Sequence, residues 1–530
     1  MKKVALGGLI LLAIAAAFLL RLNDLDLRPM HHDEANQAVK FGALLEKGEY
    51  AYDKTDHHGP LLYYLTLPAA KAMGRARFQD LDESLLRTVP AFFGAALIAL
   101  FLLFGSSIDL EARAVSALLM ALSPAMTFYS RFYIQEMLFA FFAVGFLVSI
   151  WRYILRPDGG WYAMAGIFAG LMAATKETAV IVLAAAALGL IAVLIRERIS
   201  VLNRDMPVKR KVFARHVVIA LIAAVAVAAL FYSSFGTNLE GIKDAVSSLN
   251  VYIEKGSDAT GLHSHPFFYY FGILAGRISG GLVWTEILVL LLGLAGMVFV
   301  FVRRPDPVIY TSDPVPVDRS LGLFLIVYTV GTTLAFSLLP YKTPWNLVPF
   351  YLGWLILAGI GAIGIFRSVP TVVLRIVVLL VLGLGLGHLA LENRQANISY
   401  PSDPRNPYVY AQTSPDFLKL PARMEQLAAV HPEHRNILII VLAGPYEQWP
   451  LPWYFRGYKK VGYWAEMGKA GDLSKADVVI ASPEFADDVG RILGDRVIVE
   501  NYGLRPDIIL TIHIRRALWN EFMKGRDSVR

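Results

Sequence analysis

The stretch Met30-His31-His32-Asp33-Glu34 sets two imidazoles beside two carboxylates just after the first apolar segment. A second cluster, Asp56-His57-His58-Gly59-Pro60, repeats the combination, and His263-Ser264-His265 adds two more imidazoles. Three solitary cations, Arg131, Lys176 and Lys342, stand in short breaks between apolar runs; Lys342 follows Tyr341 in a Pro-Tyr-Lys-Thr-Pro turn. A charged group at a membrane boundary costs little when it snorkels and is functional when it faces a cavity. Taken together, the three cations could cradle a phosphate. The histidines, with Asp33, Glu34 and Asp56, offer enough nitrogen and oxygen donors for a divalent ion (Mg, Mn or Zn), although no cofactor is required by the pattern. Adjacent His-His pairs point apart, so hydroxyl binding and helix capping are the plainer roles. Cysteine is absent, which excludes disulfides, thiol nucleophiles and thiolate metal sites.

Composition places these residues in a membrane protein. Of 530 residues 56% are hydrophobic and 18% charged, with a mean hydropathy of +0.50. A net charge of +7 would suggest nucleic acid in a soluble chain. Here the basic residues gather in particular short loops, which reports orientation in the bilayer and no nucleic-acid partner.

The elements that must position the chemistry follow in order. Lys2 and Lys3 precede an apolar run from Val4 to Leu20, expected to be a retained first helix although Ala15-Ala16-Ala17 would also suit signal cleavage. A polar outer loop over 21–87 carries two amphipathic pieces. One starts after Asp33 as N-cap; the other is opened by Pro60 and interrupted by Pro68. Further spans are expected at 88–104, 113–129, 133–154, 161–175, 178–195, 216–233, 282–302, 321–339, 344–366 and 371–390, about eleven in all. Pro266 to Ile278 is too short to cross and reads as interfacial. The loop 196–215 is rich in Arg and Lys, and Arg152, Arg156, Arg303, Arg304, Arg319, Arg367 and Arg375 fall on the same side. That side is cytoplasmic by the positive-inside rule, with the N-terminus, while the acids, the solitary cations and the C-terminus lie outside.

A second outer loop, 235–281, contains Gly256-Ser257-Asp258-Ala259-Thr260-Gly261, expected to be a flexible lid, and an aromatic run from Phe267 to Phe271. The chain divides at 391: a transmembrane domain over 1–391 and an extracytoplasmic α/β domain over 392–530. In the latter, strands at 436–443, 476–481, 496–500 and 508–514 alternate with helices at 415–430 and 483–493. Gly444 to Tyr454 is rich in aromatic and proline residues and reads either as an acceptor or carbohydrate surface or as a structural loop. No Gly-x-Gly-x-x-Gly follows any strand, which argues against a nucleotide site.

The ordered set, an Asp-Glu pair opening the first outer loop and Gly170-Leu171-Met172-Ala173-Ala174-Thr175-Lys176 at an outer turn, resembles membrane glycosyltransferases of the GT-C fold. It is similar to the protein mannosyltransferase and lipid A aminoarabinose transferase group (PMT_2-like). The histidine-rich versions of the motifs look most like the prokaryotic flippase-activity-associated branch. The resemblance implies an α-helical polytopic GT-C fold and transfer of a sugar from a polyprenyl-phosphate donor to a protein, lipid or glycan acceptor at the extracytoplasmic face of the cell membrane. By position it implies Asp33 as general base, Glu34 as its catalytic neighbour, and Arg131, Lys176 and Lys342 on the donor phosphate, with inversion at the anomeric carbon. His31, His32, Asp56, His57, His58, His263, His265 and Tyr341 are further candidates for substrate contact. Two other readings fit many of the same features: a lipid-linked sugar flippase or its accessory, and a His-dependent membrane metallohydrolase. Against the transporter, the charges gather at one face of the membrane and no inverted repeat is visible.

Overall fold

The computed structural model describes residues 2–55, 58–157, 160–200, 210–258, 260–261, 263–301 and 315–527. Two compact units emerge: one from Met1–Leu25, Glu49–Ala69 and Arg87–Tyr400, the other from Asp26–Gly48, Ala70–Leu86 and Pro401–Arg530. Asp33 and Glu34 belong to the second unit. The solitary cations belong to the first.

The first unit is a helical bundle. Among the described residues eight helices are long and apolar enough to cross a membrane, from Lys2–Leu22 to Val372–Ser399, and Trp161–Ala173 and Ile287–Phe301 are shorter apolar helices. The segment read as one span over 113–129 is two helices, Leu110–Leu122 and Pro124–Ser130. Pro124 cannot donate to the helix before it, so the chain breaks there and Ser123 caps the new start by accepting from the Met126 N–H. Glu286, fully buried, accepts from the Ala125 N–H at 2.9 Å and from the hydroxyls of Ser123 and Tyr351 at 2.7 Å each.

Small residues let the helices approach. A Cβ on Gly166 or Gly170 would stand 2.2 and 2.5 Å from the carbonyl oxygens of Ala220 and Ala224, so a Gly-x-x-x-Gly face meets an alanine face. Helix Val348–Ser368 is buried along nearly its whole length, whereas Lys211–Tyr232 presents its apolar surface outward, as a lipid-facing helix would.

The segment 235–281 carries regular elements on either side of the Gly256–Gly261 run, in which Ala259 lies outside the described residues. It contains an 18-residue helix, Glu240–Ser257, then a short helix Tyr269–Ala275 and a hairpin of β1 (Arg277–Ser279) and β2 (Leu282–Trp284). Gly280 and Gly281 turn the hairpin at φ 54° and 80°, the left-handed conformations that a two-residue turn needs. The helix Leu61–Ala72 runs through Pro68 instead of ending there.

The second unit holds a five-stranded mixed sheet: β3 (Leu438–Leu442), β4 (Lys460–Trp464), β5 (Val478–Ala481), β6 (Val497–Arg505) and β7 (Ile508–Arg515), in the order β4-β3-β5-β7-β6. β4, β3 and β5 are parallel; β7 is antiparallel to β5 and β6. Alternation along β3 and β5 sends Ile439, Val441, Val478 and Ile480 to one face, under helices Lys419–Val430 and Arg516–Asp527. Ile440, Leu442, Val479 and Ala481 go to the other, under helix Pro483–Leu493. The strand β4 has no counterpart in the sequence reading, because it is a five-residue edge strand interrupted by Gly462.

Candidate active site

In the second unit the helix His32–Lys47 begins in a capping box built on histidine. His31 Nδ1 accepts from the Asp33 N–H at 3.0 Å, and Glu34 Oε2 accepts from the His31 N–H at 3.0 Å. The N-cap is therefore His31, two residues before the position expected. The entering chain explains the shift: the Gln412 side chain donates to the Pro29 carbonyl, the Thr413 hydroxyl to the Met30 carbonyl, and the Met30 N–H to the Tyr454 hydroxyl. These bonds hold residues 29–31 extended until the imidazole can close the first turn.

An imidazole whose Nδ1 accepts must carry its proton on Nε2, which donates to the Tyr410 carbonyl at 3.0 Å. His31 is thus neutral. Burial, then the neighbouring His32, pushes its pKa down to about 3. The 3.8 Å approach of His31 Nδ1 to Asp33 Oδ2 is accordingly no ion pair.

Asp33 differs from its neighbours. Glu34 is fully buried in the cap, whereas the Asp33 side chain is 28% exposed. Burial, and after it the Asp33 carboxylate, raises the pKa of the Tyr410 hydroxyl. That carboxylate also opposes the lowering that burial imposes on the Arg505 guanidinium, as does Glu447. Arg505 in turn donates to the carbonyls of Tyr446 and Trp449. The His32 ring lies 6.0 and 5.9 Å from those two aromatic rings. Arg505 was absent from the sequence reading, and Glu447 entered it only within the stretch Gly444 to Tyr454; both lie more than 400 positions from Asp33, and no local pattern joins them to it.

The first unit brings Lys176, Lys342, His58, His263, His265 and Tyr341 into one region of the bundle. Lys176 Nζ donates to Glu136 Oε1 at 2.5 Å and to Asn346 Oδ1 at 2.8 Å, all three groups being buried. Next in sequence, Glu177 turns the other way. It meets His58 Nδ1 at 2.7 Å and the Tyr52 hydroxyl at 3.3 Å, while the His58 ring stacks on Tyr252. The close fit at Gly59, where a Cβ would sit 2.2 Å from the Ala174 carbonyl oxygen, pins this segment to the Ala174-Thr175-Lys176 turn.

The strip 263–265 runs antiparallel to 340–342, through His265 N–H to Pro340 and Lys342 N–H to His263. Lys342 Nζ donates to the His265 and Leu339 carbonyls, and the His263 ring lies 4.9 Å from Tyr341. Burial lowers the pKa values of Lys342, His263 and His265; His265 further lowers His263, and Lys342 lowers His265. Arg131 is engaged elsewhere, donating to the carbonyls of Leu20, Asn23 and Asp24 at the end of the first helix. Asp56 and His57 lie outside the described residues. Among the described residues no group of three or more His, Asp or Glu side chains is arranged to hold a metal ion.

Residues 11–238 match the family model described as dolichyl-phosphate-mannose-protein mannosyltransferase. No curated protein matches the sequence. Among solved structures the chain is similar to ArnT from Cupriavidus metallidurans bound to undecaprenyl phosphate, at 15% identity and a TM-score of 0.58, covering 95% of this chain and 98% of that one. The apo state of the same protein gives 14% identity, 96% and 98% coverage and a TM-score of 0.59. The archaeal oligosaccharyltransferase AglB from Archaeoglobus fulgidus, in complex with an inhibitory peptide and a dolichol-phosphate, gives 14% identity, 92% and 70% coverage and a TM-score of 0.54. The fold is therefore shared over nearly the entire chain, at identities where individual residues are not matched.

Proposed function

We propose that this chain, a membrane glycosyltransferase of the GT-C fold, moves a sugar from a polyprenyl-phosphate donor to an acceptor at the extracytoplasmic face of the membrane. The observation that carries the reading is the pair of buried ammoniums at the 339–346 turn. Each Lys carries three donors, and among the described residues Lys176 and Lys342 each spend two on protein oxygens. One N–H on each remains for a phosphate oxygen. Lipid-linked phosphate is the ligand that the similar ArnT structure contains.

In this reading the acceptor hydroxyl gives its proton to the Asp33 carboxylate as its oxygen attacks the anomeric carbon. The bond from that carbon to the phosphate oxygen breaks, the centre inverts, and polyprenyl phosphate departs with Lys176 and Lys342 each donating an N–H to its oxygens. Glu34 acts as a positioning residue, fixing the turn that presents Asp33. Arg131 fixes the end of the first helix.

The test uses purified protein and a panel of radiolabelled polyprenyl-phosphate sugars, with and without a chelator. Wild type should bind and slowly turn over one donor, Asp33→Asn should bind it without turnover, and Lys342→Met should bind it weakly. If no donor binds, and Asp33→Asn still moves a lipid-linked sugar across vesicles, the transferase reading gives way to a flippase.

A further inference from the structure

The aromatic stretch from Gly444 to Tyr454 divides into two parts with different work. Trp453 is buried, its indole donating to Glu83 at 2.8 Å beneath the Arg456 guanidinium, and the Tyr454 hydroxyl accepts from the Met30 N–H. These residues hold the domain together. Tyr446 is 64% exposed and Trp449 only half-buried, and both rings lie beside His32, the residue next to Asp33. Folding energy does not explain that pair, because an exposed tyrosine contributes little to a core.

Sheet topology marks the same place independently. The loop bearing Tyr446 and Trp449 leaves the C-terminal end of β3 and leads to β4 on one side. The chain leaving β5, the other parallel neighbour of β3, goes through helix Pro483–Leu493 toward the opposite side. Ligands of open α/β sheets bind outside the carboxyl ends of the strands where the connections diverge in this way.

We propose that Tyr446, Trp449 and His32 form a shelf for a sugar ring of the acceptor, so that the acceptor is a saccharide. The inference rests on the transferase reading above. Flat aromatic faces suit the C–H faces of a pyranose, and the flanking groups suit its hydroxyls: Asp33 and Glu447 accept hydrogen bonds. The buried Arg505 Nε, which has no hydrogen-bond partner among the described residues, donates one. A lipid acceptor would need a continuous apolar surface, which Asp33, Glu447 and Arg505 interrupt.

The shelf is tested without donor, on the full-length protein in detergent, by calorimetric titration with methyl glycosides and disaccharides of common hexoses and pentoses. Wild type should bind at least one. Trp449→Ala and Tyr446→Ala should each weaken binding about tenfold or more, and Trp449→Phe should restore most of it. Tyr446 is exposed, so its loss cannot act through misfolding. Absence of saccharide binding in wild type, or binding by Trp449→Ala and Tyr446→Ala as tight as that of wild type, overturns the shelf. Failure of every polyprenyl-phosphate sugar to bind wild type overturns the transferase reading instead, whatever the titrations show.

Discussion

Lys176 Nζ and Glu136 Oε1 stand 2.5 Å apart with both side chains buried, and Glu136 Oε2 has no hydrogen-bond partner among the described residues. The pair is neutral as a whole, and either charge alone would be stranded. Lys176→Met should therefore destabilise the protein by about 3 kcal/mol. Adding Glu136→Leu should recover most of that loss, since an apolar pair replaces the ionic one. Donor turnover should stay lost in both variants. Thermal unfolding of the singles and the double, run as a cycle, checks the first two statements, and radiolabelled donor release checks the third.

Asp33 and Glu34 should separate under conservative substitution. Asp33→Asn keeps size and removes the base, so turnover should fall about a hundredfold or more. Glu34→Gln keeps an oxygen for the His31 N–H, and Gln serves a capping box as Glu does, so most turnover should remain. Glu34→Ala loses the cap and should cost about 1 kcal/mol of stability. A Glu34→Gln protein as inactive as Asp33→Asn would give Glu34 a chemical role beyond positioning.

Acid should weaken the fold through His31. Its pKa in the folded protein is about 3, below the ordinary 6.5, so the unfolded chain binds more protons between those values. The stability it contributes is complete above about pH 6.5 and is lost as pH falls toward 3, at about 1.4 kcal/mol per pH unit. His32, Glu34 and Arg505 are the charged or titratable groups acting on it. His31→Asn, which caps without titrating, should flatten the fall in melting temperature between pH 7 and pH 5.

Helix contact in the bundle should be intolerant of a single methyl. A Cβ on Gly361 would stand 1.9 Å from the Leu292 carbonyl oxygen, backbone against backbone. Gly361→Ala must push helices Ile287–Phe301 and Val348–Ser368 apart, at about 1–3 kcal/mol. Gly387, where a Cβ meets nothing within 4 Å, is the control: Gly387→Ala should leave the melting temperature unchanged or raise it.

The sequence by itself determined the class of the protein and most of its helices, because crossing a bilayer requires long apolar runs whatever they pack against. It also singled out the charges that border such runs, since these are costly enough to be noticed one at a time. The α/β region was legible in part, without β4, whose short edge run carries no buried pattern, and without the helix Arg516–Asp527. Folding in three dimensions decided which charged groups are already spoken for. His31 and Glu34 close a helix start, Arg131 grips three carbonyls, and Lys176 pairs with Glu136. It also decided that Arg505, Tyr446 and Trp449 belong beside residues 32 and 33. Hydrogen-bond partners and ring contacts depend on separations of a few ångströms, and residues more than 400 apart in the chain acquire those only when the sheet and the helix His32–Lys47 pack in one unit.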